Sequence, residues 1–363
     1  MAQFGIRLAG QHTRMNPVER VIRRVDTAQQ RHRVSALIFG VIKKYGDDNG
    51  GVLASNLAHS AFLSVFPLLL ILVTVLVQAA ASSPAFQADV LGAVSSQFPA
   101  IGSTLVGQIT AMHRATTAGL VIGVLLLVWG ASGLAQAGLF TMAQVWNLPG
   151  PARPGYLPRL ARSALFLGVL AVGLAISMGL ASLVTYGHHS AGVVILAQAL
   201  AVVANAGLYL ASFRVLTPKG IPARNLVPGA AAGGAAWTVL LALGAYVVHH
   251  DLRTASVYGI FATVLVLLAW IYLEVQVTVY AAELNVVLTR RLWPRTIVQP
   301  PLAEADRASM ALQALQNQRR PEQCVEVTFT DRQPGMPAPP QTPRTPDEVT
   351  PPGRRAVHQD RPG

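Results

Sequence analysis

Two carboxyl groups and an amide stand in a stretch that is otherwise built for hydrocarbon: Glu274, Glu283 and Asn285 fall within the long apolar run 256–288. An ionisable side chain at membrane depth is costly, and so each one is by default a functional candidate. At about 100° per residue, Trp270, Glu274, Thr278, Ala281 and Asn285 share one helix stripe, while Gln276, Tyr280 and Glu283 share another on the opposite side. Both stripes cannot face lipid. At about 1.5 Å of rise per residue the run is longer than a bilayer is thick, which places Glu283 and Asn285 at the inner interface and leaves Glu274 within the membrane. Glu274 is therefore the first candidate for binding a solute or carrying a proton.

A second candidate pair sits in the first apolar run, where His59 precedes Pro67. Proline removes one helical hydrogen bond, so a kink and a freed carbonyl near Leu63 and Ser64 are expected. An imidazole near the cytoplasmic mouth can relay a proton or be satisfied by a neighbouring helix. Two histidine pairs, His188 with His189 and His249 with His250 beside Asp251, lie on expected outer turns. They are weak metal candidates, since adjacent histidines do not readily share one tetrahedral ion. The single cysteine, Cys324, allows no intrachain disulfide. There is no Gly-xxxx-Gly-Lys-Ser/Thr loop, no His-Glu-xx-His and no Gly-x-Ser-x-Gly. An ATP-driven pump, an enzyme and a bound cofactor are not expected.

The elements that must position these residues follow from composition. Of 363 residues, 52% are hydrophobic and 12% charged, against about 25% charged in a soluble domain. Six runs reach the roughly 20 apolar residues that a spanning helix needs: 57–81, 117–143, 163–184, 191–213, 226–248 and 256–288. A soluble core of six helices without polar faces is not a viable alternative. The first run is too long and too late for a cleavable signal and is expected to remain as an anchor. The fold class expected is all-α, a polytopic six-helix transmembrane bundle.

Charge sets its orientation. Lys and Arg are retained on the cytoplasmic side of short loops. They cluster before the first run (Arg20, Arg23, Arg24, Arg31, Arg33, Lys43, Lys44), after the second (Arg153, Arg159, Arg162), after the fourth (Arg214, Lys219, Arg224) and after the sixth (Arg290, Arg291, Arg295). The intervening loops offer Arg114, nothing, and Arg253. Both termini are thus expected in the cytoplasm. The net charge of +12 is spent beside the membrane and does not form a nucleic-acid surface.

Three domains are expected. Residues 1–56 form a basic cytoplasmic segment. In it Val34, Leu37, Ile38, Val41, Ile42 and Tyr45, at helical spacing, describe a helix that lies on the inner leaflet or packs beneath the bundle. Residues 57–290 are the membrane domain, with amphipathic segments over 83–115 capping its outer face and a break at Pro99. Residues 291–363, rich in Pro, Gln, Arg and Thr, are expected to be a disordered cytoplasmic tail. The Gly119-xxx-Gly123 and Gly229-xxx-Gly233 pairs allow close helix approach, within a bundle or in a homodimer. Gln136, Gln144, Gln198 and Asn205 are expected to hydrogen-bond between helices.

Phe62-Leu-Ser-Val-Phe-Pro67 within 48–68, then Ser96-Gln-Phe-Pro, Tyr258-Gly and Ala281-Ala-Glu-Leu-Asn285, resemble the YihY/BrkB envelope proteins, the YhjD-like branch most closely. The similarity runs from about Arg33 to Arg295. It implies a six-span inner-membrane protein tied to envelope integrity, with a transporter or lipid-flippase-like activity. Relatives were formerly labelled ribonuclease BN, a reading that the absence of metal-ligand spacing and of a basic RNA surface opposes. The partners expected are membrane lipids and a lipid-linked or amphipathic solute. The alternative is a noncatalytic membrane scaffold that recruits envelope partners.

Overall fold

The computed structural model describes residues 17–80, 117–153, 155–186, 191–217, 220–251, 259–299 and 302–329, and in them the chain is helical, without strands. The helices are α1 (Pro17–Arg31), α2 (Arg33–Asp47), α3 (Gly50–Ala80), α4 (Thr117–Val145), α5 (Tyr156–Tyr186), α6 (Ala191–Leu216), α7 (Val227–Asp251), α8 (Gly259–Arg290) and α9 (Glu304–Gln316). All belong to one compact unit, Met1–Glu326; of a second, Val327–Gly363, residues 327–329 are described.

The six long helices coincide with the six apolar runs. The shortest, α7, has 25 residues, about 37 Å at 1.5 Å per residue. Among the described residues, stretches of α5, α6, α7 and α8 are long and apolar enough to cross a membrane. Several helices outrun the expected segments: α3 begins at Gly50 and α5 at Tyr156. Each long helix packs on the next in sequence, and α8 returns against α3, closing a ring. The amphipathic segments expected over 83–115 lie outside the described residues.

Lipid tails are as apolar as leucine, so packing in such a bundle rests on close approach. Helix α7 supplies it with glycine. A Cβ on Gly229 would strike the Ala281 carbonyl and the Asn285 side chain of α8, one on Gly234 would strike the Ala206 backbone of α6, and one on Gly244 the Trp270 indole. The Gly229-xxx-Gly233 face is therefore used inside the bundle. The contacts of Gly119 and Gly123 lie outside the described residues.

Helix ends are built by local rules. Asn147 has φ 48°, and its amide and that of Leu148 bond back to the Gln144 and Ala143 carbonyls, closing α4 with a left-handed residue. Arg291, φ 54°, does the same for α8, with the Leu292 amide on the Val287 carbonyl. These ends meet: Arg290 Nη2 donates to the Trp146 carbonyl at 3.2 Å. The basic connections after α4 and α8, together with α1 and α2, thus gather at one end of the bundle.

There the single apolar stripe expected on α2 divides between a buried and an exposed side. Ala36, Gly40, Val41, Lys44 and Tyr45 are buried, and Gly40 lies against Trp293 and Leu292. Val34, Ile38 and Ile42, four residues apart, remain exposed. The expectation for 291–363 needs correction. Leu292, Arg295 and Thr296 are buried, and α9 packs its Ala305, Asp306 and Ser309 inward. Residues 292–317 are part of the folded unit because acidic and amide side chains there find buried partners on α2 and α4, which composition alone does not reveal. The tail beyond 329 lies outside the described residues.

Candidate functional site

All six long helices line one central cavity of about 380 Å³. Leu57, Ala61 and Val65 of α3, Leu134 and Met142 of α4, Phe166 and Leu170 of α5, and Ile271 and Val275 of α8 make most of its wall apolar. One strip is polar. Trp270 Nε1 donates to Glu274 Oε1 at 2.7 Å, and the Tyr209 and Thr278 hydroxyls lie 3.0 Å apart. Asn205 Nδ2 donates to Thr238 Oγ1 at 3.1 Å, and Thr238 in turn donates to the Gly234 carbonyl. Phe213 and Trp237 meet the Tyr209 ring edge-on and fix its position.

The strip exists because one stripe of α8 turns inward. Trp270, Glu274 and Thr278 recur every four residues, and Thr278 Oγ1 also bonds the Glu274 carbonyl at 3.0 Å. The indole orients one carboxyl oxygen and excludes rotamers that would withdraw it. Among the described residues no Lys or Arg forms an ion pair with Glu274. A carboxyl so placed offers a hydrogen-bond acceptor or an anionic partner to an ammonium or hydroxyl group arriving in an apolar chamber.

The opposite stripe of α8 faces α2. Tyr280 stacks on Tyr45 with centroids 4.1 Å apart, and Gln276 Nε2 reaches the Tyr45 hydroxyl at 3.4 Å. Glu283, fully buried, faces Lys44 Nζ at 3.5 Å, and neither of its oxygens accepts a hydrogen bond among the described residues. Lys44 is held more closely by Asp48 and donates to the Val145 carbonyl at 3.2 Å. Asn147 Nδ2 joins Asp48 to Gln316, and Gln316 bonds Gln144. Lys44, one of the basic cluster before the first run, is enclosed by this network.

Beside it Asp306 gathers a second cluster. It accepts from Lys43 at 2.9 Å, Arg295 Nε at 2.8 Å and Thr296 Oγ1 at 2.6 Å, while Arg295 Nη2 also bridges to Asp47 at 2.7 Å. Burial alone would raise the Asp306 carboxyl. The hydrogen bonds from Thr296, Lys43 and Arg295 outweigh that and hold it well below the usual carboxylate range. Asp26 of α1 adds a clasp of its own, accepting the Ile297 amide at 3.1 Å.

The expected site residues thus separate. Glu274 lines the cavity. Asn285 takes the Gly229 amide at 2.7 Å, and Glu283 belongs to the enclosed ion cluster. His59 is exposed, on the side of α3 turned about 200° from the cavity-lining Leu57. Pro67 falls in the α3 backbone and its side chain lies outside the described residues; the Leu63 carbonyl four positions earlier lies near Gly130 of α4, 3.7 Å from where a Cβ would be. His188 and His189 lie outside the described residues, as do the side chains of His249, His250 and Asp251. Of the four amides, Asn205 and Gln144 bond between helices, whereas Gln136 and Gln198 are exposed.

Sequence reasoning missed Tyr209, Trp237 and Asp306. The first two are aromatic residues within apolar runs and carry no signal of their own. Asp306 could have been found as an acid that, with Glu304, occupies the first turn of a helix start after a proline-rich stretch.

A model of the virulence factor BrkB family matches residues 41–305. Comparison with curated proteins gives no match, and comparison with solved structures gives none. The matched stretch opens in α2, takes in the six long helices and the whole cavity, and closes at the start of α9, so that it covers well over half of the sequence: the chain belongs to the BrkB family, the YihY/BrkB family that its motifs resemble.

Proposed function

We propose that the chain is a multi-pass inner-membrane protein with six spans and both termini in the cytoplasm, and that its bundle transports or flips an amphipathic or lipid-linked solute in support of envelope integrity. The observation that carries this reading is the central cavity: apolar on most sides, lined by all six long helices, with the Trp270-oriented carboxyl of Glu274 on its wall. A scaffold has no need of such a chamber. The gathering of the basic loops at one end supports the orientation, since short cytoplasmic loops are the ones that retain Lys and Arg. In this reading Glu274 receives the polar end of the solute or a coupling proton, and membrane lipids are the partners. No catalytic step, cofactor or nucleic acid is involved, and nothing in the site requires a homodimer.

The test is made in cells that depend on the protein for detergent resistance. Glu274→Gln keeps shape and the Trp270 contact but removes the ionisable carboxyl group. Unchanged protein level with lost resistance supports the reading. Unchanged level with full resistance overturns it in favour of the noncatalytic scaffold that recruits envelope partners.

A further inference from the structure

The central cavity has a neighbour. On the outer surface between α5 and α6 runs a groove of about 560 Å³, and three residues, Gly173, Asn205 and Leu208, line both spaces. We infer that this groove is a lateral portal through which a lipid acyl chain enters the cavity, with its donor-bearing head group directed to Glu274. The inference rests on the proposed transport function and names its substrate class, a membrane lipid whose head group carries hydrogen-bond donors.

The partition between the two spaces is thin. Gly173 has no side chain, and the Leu208 methyls occupy the place where its Cβ would be. Leu208 is half-buried and packs on Gly173, so a change of its rotamer away from that glycine opens the partition beside Asn205. The occupant follows from the surroundings. Leu165, Val172 and Ile176 on the groove wall are 58%, 60% and 49% exposed, on a helix of membrane-crossing composition. What covers apolar side chains there is an acyl chain. Asn205 supplies the one polar group shared by the two spaces, and beyond it lie Tyr209, Thr278 and Glu274. The route therefore grades from apolar outside to hydrogen-bonding inside, so that a head group can reach Glu274 while its acyl chain lies along the apolar walls of groove and cavity.

The groove can be filled without disturbing the bundle. A Cβ on Gly168 or Gly207 meets nothing within 4 Å, so Gly168→Leu and Gly207→Leu add bulk to open space and raise helix propensity as well. The full chain is reconstituted in vesicles of phosphatidylethanolamine and phosphatidylglycerol that contain phosphatidylethanolamine with a photoreactive acyl chain, and adducts are mapped by mass spectrometry. The wild type is expected to carry adducts on cavity residues such as Phe166 and Met142 as well as on outward Leu196 and Val203. The two filled variants should lose the cavity adducts and keep the outward ones, and Leu208→Ala should increase the cavity adducts. Cavity adducts absent from the wild type, or unchanged in the filled variants, overturn the portal. Lipid translocation measured in the same vesicles separates the two readings: adducts without translocation leave the portal standing and remove transport, whereas translocation without adducts does the reverse.

Discussion

The side chain of Asn285 accepts the backbone amide of Gly229 at 2.7 Å, so the first turn of α7 is capped by a residue 56 positions further along the chain. The first amides of a helix have no partner of their own, and Pro228 before Gly229 has no N–H to offer. Asn285→Ala leaves a buried donor unsatisfied and should lower stability by about 1–3 kcal/mol. Gly229→Ala should cost at least as much, because its Cβ would strike the Ala281 carbonyl. Thermal unfolding in detergent measures both. Equal melting of Asn285→Ala and wild type would remove the capping role.

Lys44 serves two carboxylates at once, Asp48 and Glu283. Lys44→Met leaves the buried Asp48 carboxylate and Glu283 without their shared cation, and breaking a buried pair in this way costs about 3–5 kcal/mol. Glu283→Gln should be far milder, since it leaves the Lys44–Asp48 pair intact. The double variant should recover part of what Lys44→Met loses. Expression level and melting temperature across this cycle check the order; a loss in Glu283→Gln equal to that in Lys44→Met contradicts it.

Asp306 ties α9 to α2 through Lys43 and to Arg295 and Thr296. Its pKa is depressed in the fold, so its contribution is complete above the unfolded value of about 3.9 and is lost as pH falls from there toward the folded value. Hydrogen exchange over 304–316 should be flat between pH 5 and 8, after correction for the intrinsic rate, and should rise below about pH 4. Asp306→Asn should raise it between pH 5 and 8, by the equivalent of about 3 kcal/mol, and should converge with the wild type in acid. An acid response retained in Asp306→Asn would assign it to another group.

The six apolar runs were legible because hydrocarbon demands a minimum length of uninterrupted apolar helix, and each run became one long helix. The two stripes of α8 were legible too, through helical periodicity, and they do face different partners: Trp270, Glu274 and Thr278 the cavity side, Gln276, Tyr280 and Glu283 the α2 side. What periodicity cannot supply is the identity of the partner. Lys43 and Lys44 were legible only as members of a basic cluster, because Asp306 and Glu283, which they face, lie more than 230 positions away, although Asp48, the closest partner of Lys44, is one helical turn on. Helix α9 was lost in a compositional average, since its anchoring depends on the single residue Asp306 and on amides such as Gln313 and Gln316. His59 attracted notice by residue type, yet its place two residues after Leu57 turns it away from the cavity.

The orientation assigned to the basic loops has its own check. A reporter active in the periplasm should be silent when fused behind Arg295 and active when inserted near Arg253. The reverse pattern would invert the bundle and place Glu283 and Lys44 at the outer surface.

Lipid translocation by the purified protein in sealed vesicles tests the account most directly. Wild type should speed the exchange of a labelled, amine-bearing phospholipid between leaflets over protein-free vesicles, and Glu274→Gln, reconstituted to the same level, should reduce that exchange toward the protein-free rate. Exchange no faster than in protein-free vesicles, or exchange indifferent to Glu274→Gln, would contradict a cavity that works through its carboxyl group.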